Sequence, residues 1–294
     1  MSMRMQSATM PWQSRRMRRA ATSLIAALFM AGVLVFVLMP FYWMLKSSFQ
    51  TNKEILAMPP IWFPRTFSLE AYEKAMKVIP FTRYIVNSLF TAMATTLIST
   101  SLAAMGAYAL ARYRFPGDTL ILVVVMFTQL IPAITRLFPI YFTLKGLGLL
   151  NSYQGLIIAY TSFSLPYAAL ILRGYFQGSY PLELEEAALI DGCGYFSAFL
   201  RIVLPISIPG IIAVATFAFL GAWNDFLWSS ILLTRGEMKT IQVGIRDFMG
   251  EFGGAQRANA FMASCVMTTV PAVILFRIAQ KYMVQGISAG AIKG

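Results

Sequence analysis

The sequence predicts an all-α membrane protein: six transmembrane helices, with a polar helical segment projecting into the cytoplasm between the fourth and fifth spans. Three observations carry this. Of 294 residues, 58% are hydrophobic and 12% charged, against about a quarter charged in soluble domains, and mean hydropathy is +0.66. Asp, Glu, Lys and Arg are absent from six runs of 17 to 28 residues, at 20–45, 84–111, 119–135, 146–172, 202–224 and 258–276. A helix crossing the hydrocarbon needs about 20 apolar residues, and each central charge costs roughly 2.5–3.5 kcal/mol. Third, the stretch 181–210, PLELEEAALIDGCGYFSAFLRIVLPISIPG, holds Glu183, Glu185, Glu186 and Asp191, four of only twelve acids in the chain. Too polar for lipid, it must leave the membrane on one side.

Residues 1–19 carry Arg4, Arg15, Arg16, Arg18 and Arg19 and no acid, which places this segment in the cytoplasm. The run 20–45 is longer than a signal-peptide core and is read as a retained anchor. Six spans return the C-terminus to the same side, consistent with Arg112 and Arg114 in the second connection and Arg277, Lys281 and Lys293 near the end. One membrane domain, 20–282, is followed by a cytoplasmic tail, 283–294. On the outer side, 46–83 contains the stiff PPIWFP and an amphipathic SLEAYEKAMKVI. The segment 136–151 reads as a short connection broken by Gly146 and Gly148, with Arg136 snorkelling to an interface. The last outer segment, 225–257, is polar and Gly-rich around GEFGG.

Within 181–210, Pro181 suits the first helical position, Glu183 falls at the third, and the acids complement the helix dipole. Gly192 ends the helix by taking the left-handed conformation. A second short helix spans 195–203, after which Pro205 and Pro209 break the chain. Glu183, Glu186, Ala187 and Ile190 share one face at i, i+3, i+4 and i+7, where small alanines beside acids permit close docking of another protein.

Composition also excludes functions. The net charge of +12 fits anionic headgroups and positive-inside loops rather than nucleic acid. With no histidine and only Cys193 and Cys265, neither a metal site nor a disulfide framework is expected. No G-x-x-x-x-G-K-[ST] loop occurs, so any ATP is bound elsewhere. The charge-free runs argue against an ion-gradient transporter and an intramembrane enzyme. Asn87, Gln129, Tyr160, Thr161, Ser164 and Asn224 are polar positions in or beside spans, candidates for a translocation path or for hydrogen bonds between helices.

The pattern E-A-A, three residues, G, nine residues, I-x-L-P is matched without a gap by Glu186, Ala187, Ala188, Gly192, Ile202, Leu204 and Pro205. It resembles the signature loop of permease subunits of binding-protein-dependent ABC importers. WNDFLWSSILLT (223–234), QKYMVQGISAGAIKG (280–294) and SSFQTNKEIL with PPIWFP (47–64) resemble the carbohydrate group, in particular its maltose-transporter-type second permease. The resemblance implies half of a heterodimeric path for a sugar or oligosaccharide, in a bacterial or archaeal cytoplasmic membrane. It implies as partners a second permease, two ABC ATPase subunits and an extracytoplasmic solute-binding protein. The chain itself is expected to be non-catalytic, without a cofactor, and ATP and Mg are expected on the ATPase subunits. Glu183, Glu186, Ala187, Ala188, Asp191 and Gly192 fall on the family's coupling helix, which sits in a cleft of the ATPase. The resemblance also brings Gly286, Gly290 and Lys293 to the ATPase pair. Gly250, Phe252, Gly253 and Gly254 reach toward the binding protein by position. In the maltose-type group the main sugar contacts are on the partner permease. The alternatives are an importer permease for another solute, such as a polyol phosphate or amino acid, and a secondary transporter.

Overall fold

The computed structural model describes residues 12–178, 180–250 and 254–291. In chain order the helices are α1 (Trp12–Ser48), α2 (Asn52–Ile55), α3 (Glu70–Val78), α4 (Phe81–Arg112), α5 (Asp118–Leu130), α6 (Leu137–Gly146) and α7 (Tyr153–Gly178). They continue with α8 (Glu183–Ile190), α9 (Tyr195–Ala198), α10 (Leu204–Ile206), α11 (Ile208–Trp223), α12 (Leu227–Leu232), α13 (Ile241–Gly250) and α14 (Ala258–Ala291). No strand occurs among the described residues.

Four helices are long and apolar enough to cross a bilayer: α1 from Arg19, α4, α7, and α14 as far as Tyr282. The other two expected spans are not straight. α5 has 13 residues, about 20 Å at 1.5 Å per residue, short of a hydrocarbon layer of about 30 Å. Its axis meets the following helical segment at 104°. The cause is Pro132, which disfavours helical geometry at the preceding residue, and Ile131 is extended at φ −76°, ψ 118°. Residues 136–151, expected as a short connection, therefore fold largely as α6, with the turn completed at Gly148 (φ +67°). The fifth span likewise bends by 79° between residues 195–206 and α11, where Pro205 and Pro209 flank Ser207.

α4 and α7 pack along each other, α11 packs on both, and α14 joins α11 to the peripheral α1. Small residues make the close approach possible: Ala103, Ala104 and Ala107 of α4 and Ala168 and Ala169 of α7 are buried in one cluster. A polar row on α4 (Ser88, Thr91, Thr95, Ser99) is also buried. Ser88 Oγ accepts the Ile241 N–H at 2.8 Å, and Thr91 bonds back to the carbonyl of Asn87 at 2.9 Å.

The two ends of the bundle differ. At one, Ile241 and Phe248 of α13 and Trp223 of α11 enter the core. The segment 225–257 is thus mostly helical and packed rather than a solvated loop. At the other end lies α8. The Asn259 N–H donates to Asn52 Oδ1 at 2.9 Å, which ties α2, just after the end of α1, to the start of α14 beside α13. The start of α1 and the end of α14 therefore lie on the α8 side. α14 continues unbroken to Ala291, so residues 283–291, expected as a tail, extend the last span as helix.

Backbone approaches closely at Gly155 on α7, where a Cβ would strike the carbonyl oxygen of Leu149, whereas a Cβ at Gly174 meets nothing within 4 Å. Gly155→Ala should lower stability by about 1–3 kcal/mol through overpacking, while Gly174→Ala is neutral or gains about 0.5–1 kcal/mol. Thermal unfolding of the detergent-solubilised chain measures both.

Candidate functional site

α8 starts at Glu183, two residues later than Pro181 predicts. It ends as expected. Asp191 is its C-cap, Gly192 takes φ +85°, and the Cys193 N–H reaches back to the Ala188 carbonyl at 2.9 Å, a Schellman closure. Glu183, Glu186, Ala187 and Ile190 all face outward, as do Asp191 and Gly192. Ile190 is 86% exposed, which is unusual for an isoleucine on a helix flanked by acids. Ala188 is buried. Beyond Gly194, α9 runs into a wide π-type turn, Phe199–Val203, and then α10. Ile202 and Leu204 are half-buried and Pro205 is exposed.

What holds α8 in place is a residue that helical-face arithmetic passes over. Glu185 points away from the exposed face and is 5% exposed. Its Oε1 pairs with Arg112 Nε at 2.8 Å, the two side chains being 7% and 11% exposed. The Tyr108 hydroxyl donates to Glu185 Oε2 at 2.8 Å and the Tyr180 hydroxyl to Oε1 at 2.7 Å. Arg112 also lies over the Tyr180 ring at 4.4 Å, and Tyr108 packs on Phe199 at 4.8 Å. Burial, and then the bond to Glu185, pushes the Tyr180 phenol well above its ordinary pKa, so it remains a donor. Arg112 is the last residue of α4, so this cluster ties α8 to the end of a span. The sequence did hold a signal: an acid on the inward face of an amphipathic helix needs a buried partner.

A cavity of about 410 Å³ opens between the α5–α6 bend, α7 and α11. Gln129 and Tyr160 line it, as do Arg136 and Asp225. Arg136 turns inward onto the Phe163 ring at 4.5 Å rather than snorkelling outward. Two other path candidates are placed elsewhere. Asn87 spends its carboxamide on the carbonyls of Glu237 and Lys239, both at 3.0 Å, because the bent 234–240 connection leaves those groups without helical partners. Asn224 is the exposed C-cap of α11, turned away by the helix end.

The remaining candidates lie at the edges of the described residues. Gly250 ends α13 and Gly254 starts the next turn, while Phe252 and Gly253 fall outside the described residues. Gly286 and Gly290 are within α14, and Lys293 is outside.

Residues 101–289, which include α8, the π-type turn and the cavity wall of α11, match the binding-protein-dependent transport system inner membrane component family. The chain belongs to that family. Among the relatives of this inner membrane component, the sulfoquinovosyl glycerol transport system permease protein of Agrobacterium fabrum is 35% identical, over 89% of this chain and 91% of its own. The trehalose/maltose transport system permease protein of Thermococcus litoralis is 34% identical, over 92% and 96%. The fold matches a chain in the crystal structure of a bacterial ABC transporter that imports the acidic polysaccharide alginate, with TM-score 0.79 and 22% identity, covering 94% of this chain and 100% of that one.

In this inner membrane component, Arg112→Ala should cost about 3–5 kcal/mol by leaving Glu185 buried and unpaired, whereas the double apolar replacement Arg112→Met with Glu185→Met should recover at least half. Thermal unfolding of the solubilised protein compares them.

Proposed function

We propose that the chain is one permease subunit of an ABC importer for a sugar or oligosaccharide, with the exposed face of α8 as the surface on which an ATPase subunit docks. The observation that carries this is the arrangement of α8. An outward face of Glu183, Glu186, Ala187 and Ile190 is fixed by the buried Glu185–Arg112 pair to the end of α4. A protein that pulls on that face moves α4, and with it α7 and α11, which pack along it. The family assignment and the sugar-transport names of the relatives support the same reading.

On this reading a second permease completes the path, two ATPase subunits bind ATP and Mg, and a solute-binding protein docks at the α13 end. The α8 side is cytoplasmic, in keeping with Arg15, Arg16, Arg18 and Arg19 in the first turns of α1 and with the start of α1 and the end of α14 lying on that side. Gly286 and Gly290 within α14, with Lys293 after it in sequence, are assigned to contact with the ATPase pair, and Gly250, Phe252, Gly253 and Gly254 to contact with the binding protein. The chain performs no chemistry itself. ATP binding draws the ATPases together, α8 follows, and the equilibrium between inward- and outward-open bundles shifts, because the nucleotide state favours one of them.

Charge reversal at Glu186 removes the acid presented to the ATPase, and any side chain at Gly192 is strained in the left-handed region. In proteoliposomes holding the whole transporter, Glu186→Lys and Gly192→Trp should each cut ATP-driven uptake about tenfold or more, the equivalent of about 1.4 kcal/mol of coupling. The chain should still insert and assemble with the second permease. Full uptake in both variants refutes the docking assignment.

A further inference from the structure

The cavity beside α11 carries two charged groups, and their situations differ. Asp225 is saturated: it accepts the Tyr160 hydroxyl at 2.8 Å and the backbone N–H groups of Ser229 and Trp228 at 2.9 and 3.4 Å. Arg136 is not. None of the four ion pairs among the described residues includes it. Its Nε is buried without an acceptor, and its guanidinium rests only on the Phe163 ring. A ring face offsets part of the cost of desolvating a cation, not the whole. An ionisable group held inside a membrane bundle faces a cavity or a partner, and here the cavity is present and no partner is found among the described residues.

The rest of the lining shows what kind of anion fits. At about 410 Å³ the space lies within the range of roughly 300–1,000 Å³ usual for small-molecule sites, which combine apolar walls with a few placed polar groups. Tyr167, 43% exposed, meets Phe217 edge to face at 6.0 Å, and both line the cavity together with the Gln129 carboxamide. Aromatic faces with an amide and a hydroxyl suit a sugar ring, which is apolar on its C–H faces and polar at its rim. The planar fork of arginine matches a carboxylate or sulfonate through paired hydrogen bonds. We propose that this cavity is a solute subsite in the chain itself, specific for a sugar bearing an acidic group that pairs with Arg136. The proposal rests on the permease reading and adds to it the chemical class of the solute.

The test is a titration of the assembled transporter in phosphatidylcholine nanodiscs, without ATP, with methyl glucuronide and with methyl glucoside. Trp228 beside the cavity reports by fluorescence, and Trp228→Phe identifies its signal. The glucuronide should saturate at about tenfold lower concentration or less, as expected for a hydrogen bond to a charged group. Arg136→Gln should abolish the preference and Arg136→Lys should keep part of it. Equal affinity for the two glycosides in the unaltered protein overturns the proposal without any variant. So does binding of neither, or a preference that survives Arg136→Gln. A signal that responds to phosphatidylglycerol in the disc but to neither glycoside assigns Arg136 to a lipid headgroup and also overturns it. Because the titration uses no ATP, its outcome is independent of whether the α8 variants lose driven uptake.

Discussion

The buried pair of Glu185 and Arg112 is the contact on which the rest of this architecture depends. An ion pair out of water holds only if its remaining lone pairs and protons are also satisfied. Here the two tyrosine hydroxyls do that, one from α4 and one from the α7–α8 connection. The carboxylate thus has donors from two directions and a cation from the end of a span. Such a joint is stiff in geometry even where its net contribution to folding is small. α8 is otherwise a two-turn helix between a loop and a glycine, held besides the joint by Ala188 and its packing on α9 and the π-type turn.

The bends in the third and fifth helical regions have a common physical origin and distinct results. Pro132 and the pair Pro205 and Pro209 each interrupt the backbone ladder where neighbouring helices can cover the exposed groups, as membrane proteins allow. The first bend carries Arg136 from the lipid side to the interior and opens the space that α11 closes. The second places α9, the π-type turn and α10 beneath the bundle, where Phe199 and Val203 enter the cluster around Tyr108.

Local features of the chain were legible in its residues. The outward face of α8, its stop at Gly192 and the amphipathic α3, with Ala71 and Ala75 buried, follow from helical spacing and glycine stereochemistry. The family was legible from one gap-free motif supported by three other segments. What spacing could not reveal was pairing at long separation. Glu185 and Arg112 are 73 positions apart, and Ser88 and Ile241 are 153 apart. Asn87 has the same origin: a polar residue in a span looks like a path residue until the carbonyls it serves are known. Counting charges also treats a proline as neutral, so the third span was read as straight although Pro132, the cause of its bend, was visible, whereas the break at Pro205 and Pro209 was expected. α13 was taken for a loop because its glycines masked the apolar positions, Ile241, Ile245 and Phe248, that enter the core.

Hydropathy and burial run in opposite directions along the bundle. The most apolar stretch of α1 has a mean hydropathy of 2.7 and none of it is covered by protein, while that of α4 has 1.4 with 39% covered. α4 can carry Ser88, Thr91, Thr95 and Ser99 because α7, α11 and α13 shield that row. A nascent chain meets these helices one at a time. α1 is apolar enough to partition into lipid alone as soon as it emerges. α4, polar on one side, is at a disadvantage there until α7 arrives about forty residues of synthesis later. Insertion of this protein is therefore a paired event for its central helices, and a substitution on the buried row that is harmless once assembled can still determine how much of the chain reaches the bilayer.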